Sequence, residues 1–179
     1  QSRDDLVRKV KMFRLLGQMT ATCFQRCTTC DGGNIMYLAT YEVDQKFGTK
    51  YHERFKKFFR HLQENDLVAG IAMTDVKGDR SLKPSEQADP DLYLHVVEEK
   101  KDGIVVRGAK AHQTGALNCH YTVVMPTRAM SLEDKDYAIA FSIPMSSPGL
   151  IHIYGRQFSD TRKMEEGLID TGNPLYGMQ

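Results

Sequence analysis

The hydrophobic period of this chain changes once, near Leu67, and that switch limits its architecture more than any other feature. Upstream, Leu6, Val10, Phe13, Leu16 and Met19 recur at helical spacing between Asp5 and Thr20, which lines them along one apolar stripe. Asp4 and Asp5 stand where a helix start favours carboxylates. Asp31-Gly32-Gly33-Asn34 opens a second predicted helix carrying Met36, Leu38, Tyr41 and Val43 and ending near Gly48. A third is expected from Tyr51 to about Glu64, with Phe55, Phe58, Phe59 and Leu62 inside and His52 and His61 on its solvated face.

Downstream the pattern shortens. Leu67 to Met73 is an apolar run, and Ser81 to Pro90, with its two prolines and many charges, reads as a surface loop. Strands are predicted at Leu92–Glu98, Ile104–Gly108, Tyr121–Met125, Tyr137–Ile143 and Leu150–Tyr154. They are rich in Val, Ile and Tyr, and turn chemistry such as Lys101-Asp102-Gly103 separates them. His95, His120 and His152 fall in strands on this reading. The fold class is therefore α+β. A helical domain over residues 1–66 is followed by a β domain over 67–179, built as a barrel or sandwich.

A net charge of +1 gives no electrostatic footprint for nucleic acid or an anionic membrane surface. No apolar run reaches the ~20 residues that cross a bilayer, and the first residues carry no signal-peptide pattern. The start at Gln1 and the close at Asn-Pro-Leu-Tyr-Gly-Met-Gln suggest a piece of a longer protein.

Three of the four cysteines fall in Cys23-Phe-Gln-Arg-Cys27-Thr-Thr-Cys30. With so few cysteines a disulfide scaffold is disfavoured, and a reducing cytosol is expected. Cys23 and Cys27 are spaced i, i+4, so on a helix both thiolates leave one face and can hold two corners of a metal site. A whole iron–sulfur cluster needs about four ligands, so others must come from elsewhere. The bland alternative is buried free thiols; a zinc module and the radical S-adenosylmethionine motif are the other readings of the spacing. Zinc would want a second Cys/His pair at short spacing, and none is present. The radical enzymes carry their motif in a β/α barrel, which this pattern does not predict.

Two polar segments are the other candidates. Met73-Thr74-Asp75-Val76-Lys77-Gly78-Asp79-Arg80 offers hydroxyl, carboxylate, ammonium, guanidinium and a flexible glycine at the helix-to-strand change, a set suited to a phosphate-bearing cofactor. In Gly108-Ala109-Lys110-Ala111-His112-Gln113-Thr114-Gly115-Ala116, small residues flank His112, Gln113 and Thr114, so a flat ligand can approach the backbone. A solvated turn and a strand-end turn with a structural histidine are the plain alternatives.

These segments, with Tyr41-Glu42-Val43-Asp44-Gln45-Lys46-Phe47-Gly48-Thr49, together resemble the 4-hydroxybutyryl-CoA dehydratases. That branch of the 4-hydroxyphenylacetate 3-hydroxylase flavoproteins is built like acyl-CoA dehydrogenases. The resemblance implies an N-terminal helical domain, a barrel-like middle domain and a C-terminal helical bundle, of which the bundle is absent here. It implies FAD and a [4Fe-4S] cluster. By resemblance Met73 to Arg80 and His112 to Thr114 contact the flavin, with Thr114 tuning its ring. Cys23 and Cys27 ligate the cluster, and Gln25 between them lines the active site. Cys30 lies outside the family pattern. His112 and Cys119 reproduce the family's His-x6-Cys spacing but lie in its flavin segment, so no ligand role passes to them.

The activity implied is a radical dehydration of 4-hydroxybutyryl-CoA to crotonyl-CoA, with vinylacetyl-CoA isomerisation at the same site. Acyl-CoA is then the substrate partner, and a cytoplasmic homotetramer is the implied assembly. A FAD-dependent phenol monooxygenase sharing the flavin segments, and a zinc- or partner-binding module without flavin, remain as rival expectations.

Overall fold

The computed structural model describes residues 2–21 and 31–153. Cys23, Gln25, Cys27 and Cys30, and Tyr154 at the end of the last predicted strand, lie outside the described residues. The chain divides into two compact units, Gln1–Met145 and Ser146–Gln179.

The first unit opens with three helices: α1 (Arg3–Thr20), α2 (Gly32–Phe47) and α3 (Tyr51–Glu64). The start of α1 is fixed by a reciprocal capping box. Asp5 N donates to Ser2 Oγ at 3.3 Å, while Ser2 N donates to Asp5 Oδ2 at 2.8 Å. Helix α2 stops at Gly48, whose left-handed φ of 66° ends the helix at little steric cost. Asp44 of α2 then serves as the cap that α3 lacks in its own sequence. Its carboxylate accepts from Tyr51 N at 2.8 Å, His52 N at 2.9 Å and the Thr49 hydroxyl. Desolvation works against that charge, but the hydrogen bonds outweigh it and hold the carboxyl below the usual carboxylate range.

This packing corrects the expectation for His52. It is 9% exposed, edge-on to Tyr37 with ring centroids 4.6 Å apart, and its Nδ1 lies 3.1 Å from Thr40 Oγ1. The helix face that looked solvated is the face closing on α2. His61 is exposed, as expected. In α1 only Phe13, Leu16 and Gly17 are half-buried, and Leu6, Val10 and Met19 of the predicted stripe are exposed.

The sheet region holds β1 (Ala69–Ala72), β2 (His95–Lys100), β3 (Gly103–Arg107), β4 (Tyr121–Val124) and β5 (Phe141–Pro144). Strand β4 is central, parallel to β1 and antiparallel to β5. Strands β2 and β3 form a separate antiparallel hairpin with an irregularity between Val96 and Glu98. The α+β composition is as expected. The barrel is not: among the described residues the two sheets are separate and neither closes.

The register places Ala69, Ile71, Val123 and Met125 on the wall of an apolar cavity of about 310 Å³, opposite Phe13, Phe55 and Phe59. Phe58 reaches the same face and meets Tyr121 edge-on at 5.4 Å. Leu62 at 8% exposure and Val124 at 5% are among the core residues, each worth about 1.5–3 kcal/mol of burial.

Two predicted strands shift. The run at 92–98 begins only at His95, because Pro90–Leu92 is a 3-10 turn capped by Asp89, which accepts from Asp91 N at 2.9 Å. The run at 137–143 divides: Leu132–Tyr137 is a 3-10 turn and only Phe141–Pro144 pairs. Tyr137 is buried because its ring tilts over His95 at 4.9 Å, not because it sits in a sheet. His120 precedes β4 instead of lying in it.

The described part of the second unit contains no strand at 150–153. Leu150 N closes a turn onto Ser147 O at 3.1 Å, Gly149 has φ 83°, Ile153 is an isolated bridge residue, and His152 is outside any strand. None of the described helices is long and apolar enough to cross a membrane.

Candidate functional site

Chain geometry brings the start of the 73–80 segment beside the 110–114 segment. Strand β1 ends at Ala72, and the chain runs on through Met73 and Thr74 to Asp75, which forms an antiparallel bridge with Lys110. Ala111 N donates to Thr74 O at 2.8 Å. The side chains complete the lacing. The Lys110 ammonium donates to Met73 O at 3.0 Å, to Met125 O at 3.1 Å and to the Asp75 carboxylate. The second oxygen of Asp75 accepts from the Thr127 hydroxyl. The Lys110 and Asp75 side chains are 10% and 2% exposed. A buried ion pair is tolerable on these terms, because three acceptors satisfy the three ammonium donors and the carboxylate is doubly bound.

Gly108 makes the approach possible. Its φ is 126°, and a Cβ there would stand 2.4 Å from Tyr93 O and 2.6 Å from Leu94 Cα. Only a bare backbone lets the chain leave β3 and turn under the β2 entry.

Beyond Lys110, His112 takes a left-handed φ of 58°, and Thr114 N closes onto His112 O at 3.2 Å. His112 and Thr114 are exposed. Gln113 donates from Nε2 to Ala111 O at 2.6 Å, while its buried Oε1 has no hydrogen-bond partner. Such an orphaned acceptor costs about 1–3 kcal/mol unless something satisfies it.

The other half of the first segment is anchored elsewhere. Gln87 grips Asp79 from both ends of its amide, accepting from Asp79 N at 3.0 Å and donating to Asp79 O at 2.7 Å. Tyr93 OH donates to Lys77 O at 3.2 Å. Lys77 and Gly78 both have positive φ, and a Cβ on Gly78 would stand 2.4 Å from Gln87 Oε1. Ser81 donates from its hydroxyl and amide to Asp79, which keeps that carboxyl below its ordinary range. Met73 and Val76 stay exposed, at 44% and 45%.

Sequence reasoning missed Lys110, Thr127, Gln87 and Tyr93. The first two carried a faint signal: an aspartate directly after an apolar strand needs partners if it is buried. Gln87 and Tyr93 carried none, since side-chain-to-backbone clamps follow from tertiary geometry.

Among the described residues no group of three or more His, Cys, Asp or Glu could hold a metal ion. Cys119 donates its thiol to Gly115 O at 3.1 Å, and burial pushes the thiol up.

Residues 1–178 match the family model described as the N-terminal part of 4-hydroxyphenylacetate 3-hydroxylase. The chain belongs to this family. Within the 4-hydroxyphenylacetate 3-hydroxylase family it is 59% identical to the 4-hydroxybutyryl-CoA dehydratase/vinylacetyl-CoA-Delta-isomerase of Clostridium aminobutyricum, over 100% of this chain and 37% of that protein. It is 29% identical to the oxygenase component of 4-hydroxyphenylacetate 3-monooxygenase from Thermus thermophilus, over 84% of the chain and 30% of that protein. An oxygen-tolerant archaeal 4-hydroxybutyryl-CoA dehydratase from N. maritimus superposes with a TM-score of 0.83 at 52% identity, over 94% of this chain and 34% of the other. An HpaB oxygenase component complexed with FAD superposes at 0.58 and 29% identity, over 70% and 26%. The chain thus spans 26–37% of the length of these relatives.

Proposed function

We propose that this chain is the N-terminal and middle portion of a flavin- and iron–sulfur-dependent dehydratase that converts 4-hydroxybutyryl-CoA to crotonyl-CoA, with vinylacetyl-CoA isomerisation at the same site. The observation that carries the reading is the lacing of the 73–75 and 110–114 segments into one surface, in a chain 59% identical to such a dehydratase/isomerase. Residues 1–66 are the helical part and 67–179 the middle β part, whose strands close into a barrel in the whole protein.

The residues fit FAD. Gln113 Oε1 is a buried acceptor awaiting a donor, and a flavin ring edge carries an imide N–H. Met73 and Val76 offer exposed apolar surface in the first segment, and Lys77 and Arg80 supply positive charge for a pyrophosphate. His112 and Thr114 are exposed at the turn, where Thr114 orients the ring. Thr74, Asp75, Gly78 and Asp79 shape the backbone around it. Bound FAD supplies reversible one-electron chemistry, which the removal of an unactivated β proton requires; the protein contributes orientation and electrostatics. Cys23 and Cys27 ligate a [4Fe-4S] cluster with partners outside this chain, and Gln25 faces the substrate between them. The assembly is a cytoplasmic homotetramer.

The test is an anaerobic absorption spectrum with iron and sulfide assay on the protein at its natural length. Flavin bands with about four irons per chain support the dehydratase, and Cys23→Ala then removes the cluster. Flavin without iron moves the assignment to a phenol monooxygenase, in keeping with the HpaB likeness. The absence of both flavin and iron overturns the enzyme reading.

A further inference from the structure

We propose that Lys110 is a positioning residue of the flavin surface, acting as the pin that sets the 110–114 turn against Met73–Asp75; this rests on the flavin reading above.

Two covalently distant stretches meet Lys110 at one nitrogen. Met73 O, just beyond β1, and the Asp75 carboxylate belong to the first cofactor segment, and Met125 O lies just beyond β4. An ammonium has three donors, and all three are committed here. The backbone of the same residue carries the bridge to Asp75, and the next amide, Ala111 N, bonds Thr74 O. Ala111 O in turn holds the Gln113 amide. The sequence of restraints therefore runs from Lys110 Nζ through Ala111 to Gln113, whose unpartnered Oε1 is the group offered to the ring.

No side chain of Lys110 faces a ligand in this arrangement. Its ammonium is spent on the protein, so its effect on a cofactor passes through the placement of its neighbours. Removing the cation leaves the Asp75 carboxylate buried with Thr127 as its remaining side-chain partner, and frees two carbonyls that held the segments together. Misplacement by about 1 Å is enough to weaken a preorganised site strongly.

The experiment compares Lys110→Met with Asp134→Asn in the natural-length protein. Asp134 is also buried, at 3% exposure, but it joins Ser85 and Ser131 and touches neither cofactor segment. Deflavinated protein is titrated with FAD, and thermal midpoints are recorded for both variants. The expected result is FAD binding weakened by about tenfold or more in Lys110→Met, with Asp134→Asn within about twofold of wild type at a similar loss of midpoint. Equal affinities in wild type and Lys110→Met overturn the proposal and leave the flavin reading standing. Equal weakening in both variants also overturns it, since the effect is then one of general stability. Wild type that takes up no FAD overturns the flavin reading, and this proposal with it. Should Lys110→Met fail to fold, Lys110→Arg is judged by the same criteria: it keeps the charge but cannot aim three bonds from one nitrogen.

Discussion

Asp134, away from the candidate site, contributes to stability in a way that is tied to pH. Burial at 3% exposure would raise its carboxyl. The hydroxyls of Ser85 and Ser131, at 2.7 and 2.8 Å, and Ser85 N at 3.1 Å outweigh that and bring it from 3.8 down to about 2. A carboxyl depressed on folding stabilises above its unfolded pKa and loses that contribution as pH falls through its folded pKa. The shift corresponds to about 2 kcal/mol at neutral pH, of which about 1 kcal/mol is gone by about pH 3. Asp134→Asn keeps the shape and removes the titration. Urea unfolding of both proteins, followed by circular dichroism since the chain has no tryptophan, gives the difference directly, and the other titrating groups cancel in it. The stability gap is expected to be about 2 kcal/mol at neutral pH and to shrink to about half near pH 3. A gap of the same size at both pH values would refute the reasoning.

Two further expectations follow from packing. Gly108→Ala forces a Cβ to within 2.4 Å of Tyr93 O at a φ of 126°, and is expected to cost roughly 3 kcal/mol or more in urea unfolding. Leu62→Ala, at 8% exposure beside the apolar cavity, is expected to cost about 2–5 kcal/mol by the same measurement; a loss under about 1 kcal/mol would mean the cavity wall collapses freely onto the gap.

The helices were legible because their signals are local. Spacing of apolar residues, carboxylates at the start of α1 and Gly48 at the end of α2 each act within a turn or two, and the structure returns α3 at Tyr51–Glu64. Strand type was legible at Tyr121–Val124, a run rich in β-branched residues in which each residue pairs with both neighbouring strands. It was misleading at Tyr137, whose burial comes from stacking on His95. It was misleading again at His52, whose environment depends on which face of α3 closes on α2. The candidate site divides the same way. The two segments could be picked out by composition, but their adjacency could not, since Lys110 and Asp75 meet across 35 residues of chain.

The parallel pairing of β1 with β4 also dictates an order of events during folding. Ala69 must find Tyr121, and the neighbouring contact from Val68 N to His120 Nδ1 spans 52 residues. Parallel partners at that separation return nothing until a long loop has closed. The β2–β3 hairpin lies wholly inside that loop and needs only its own short turn. Once it forms, it shortens the span that remains to be closed. The hairpin is thus expected to form before the β1–β4 pairing, and the lacing of the two cofactor segments to follow loop closure.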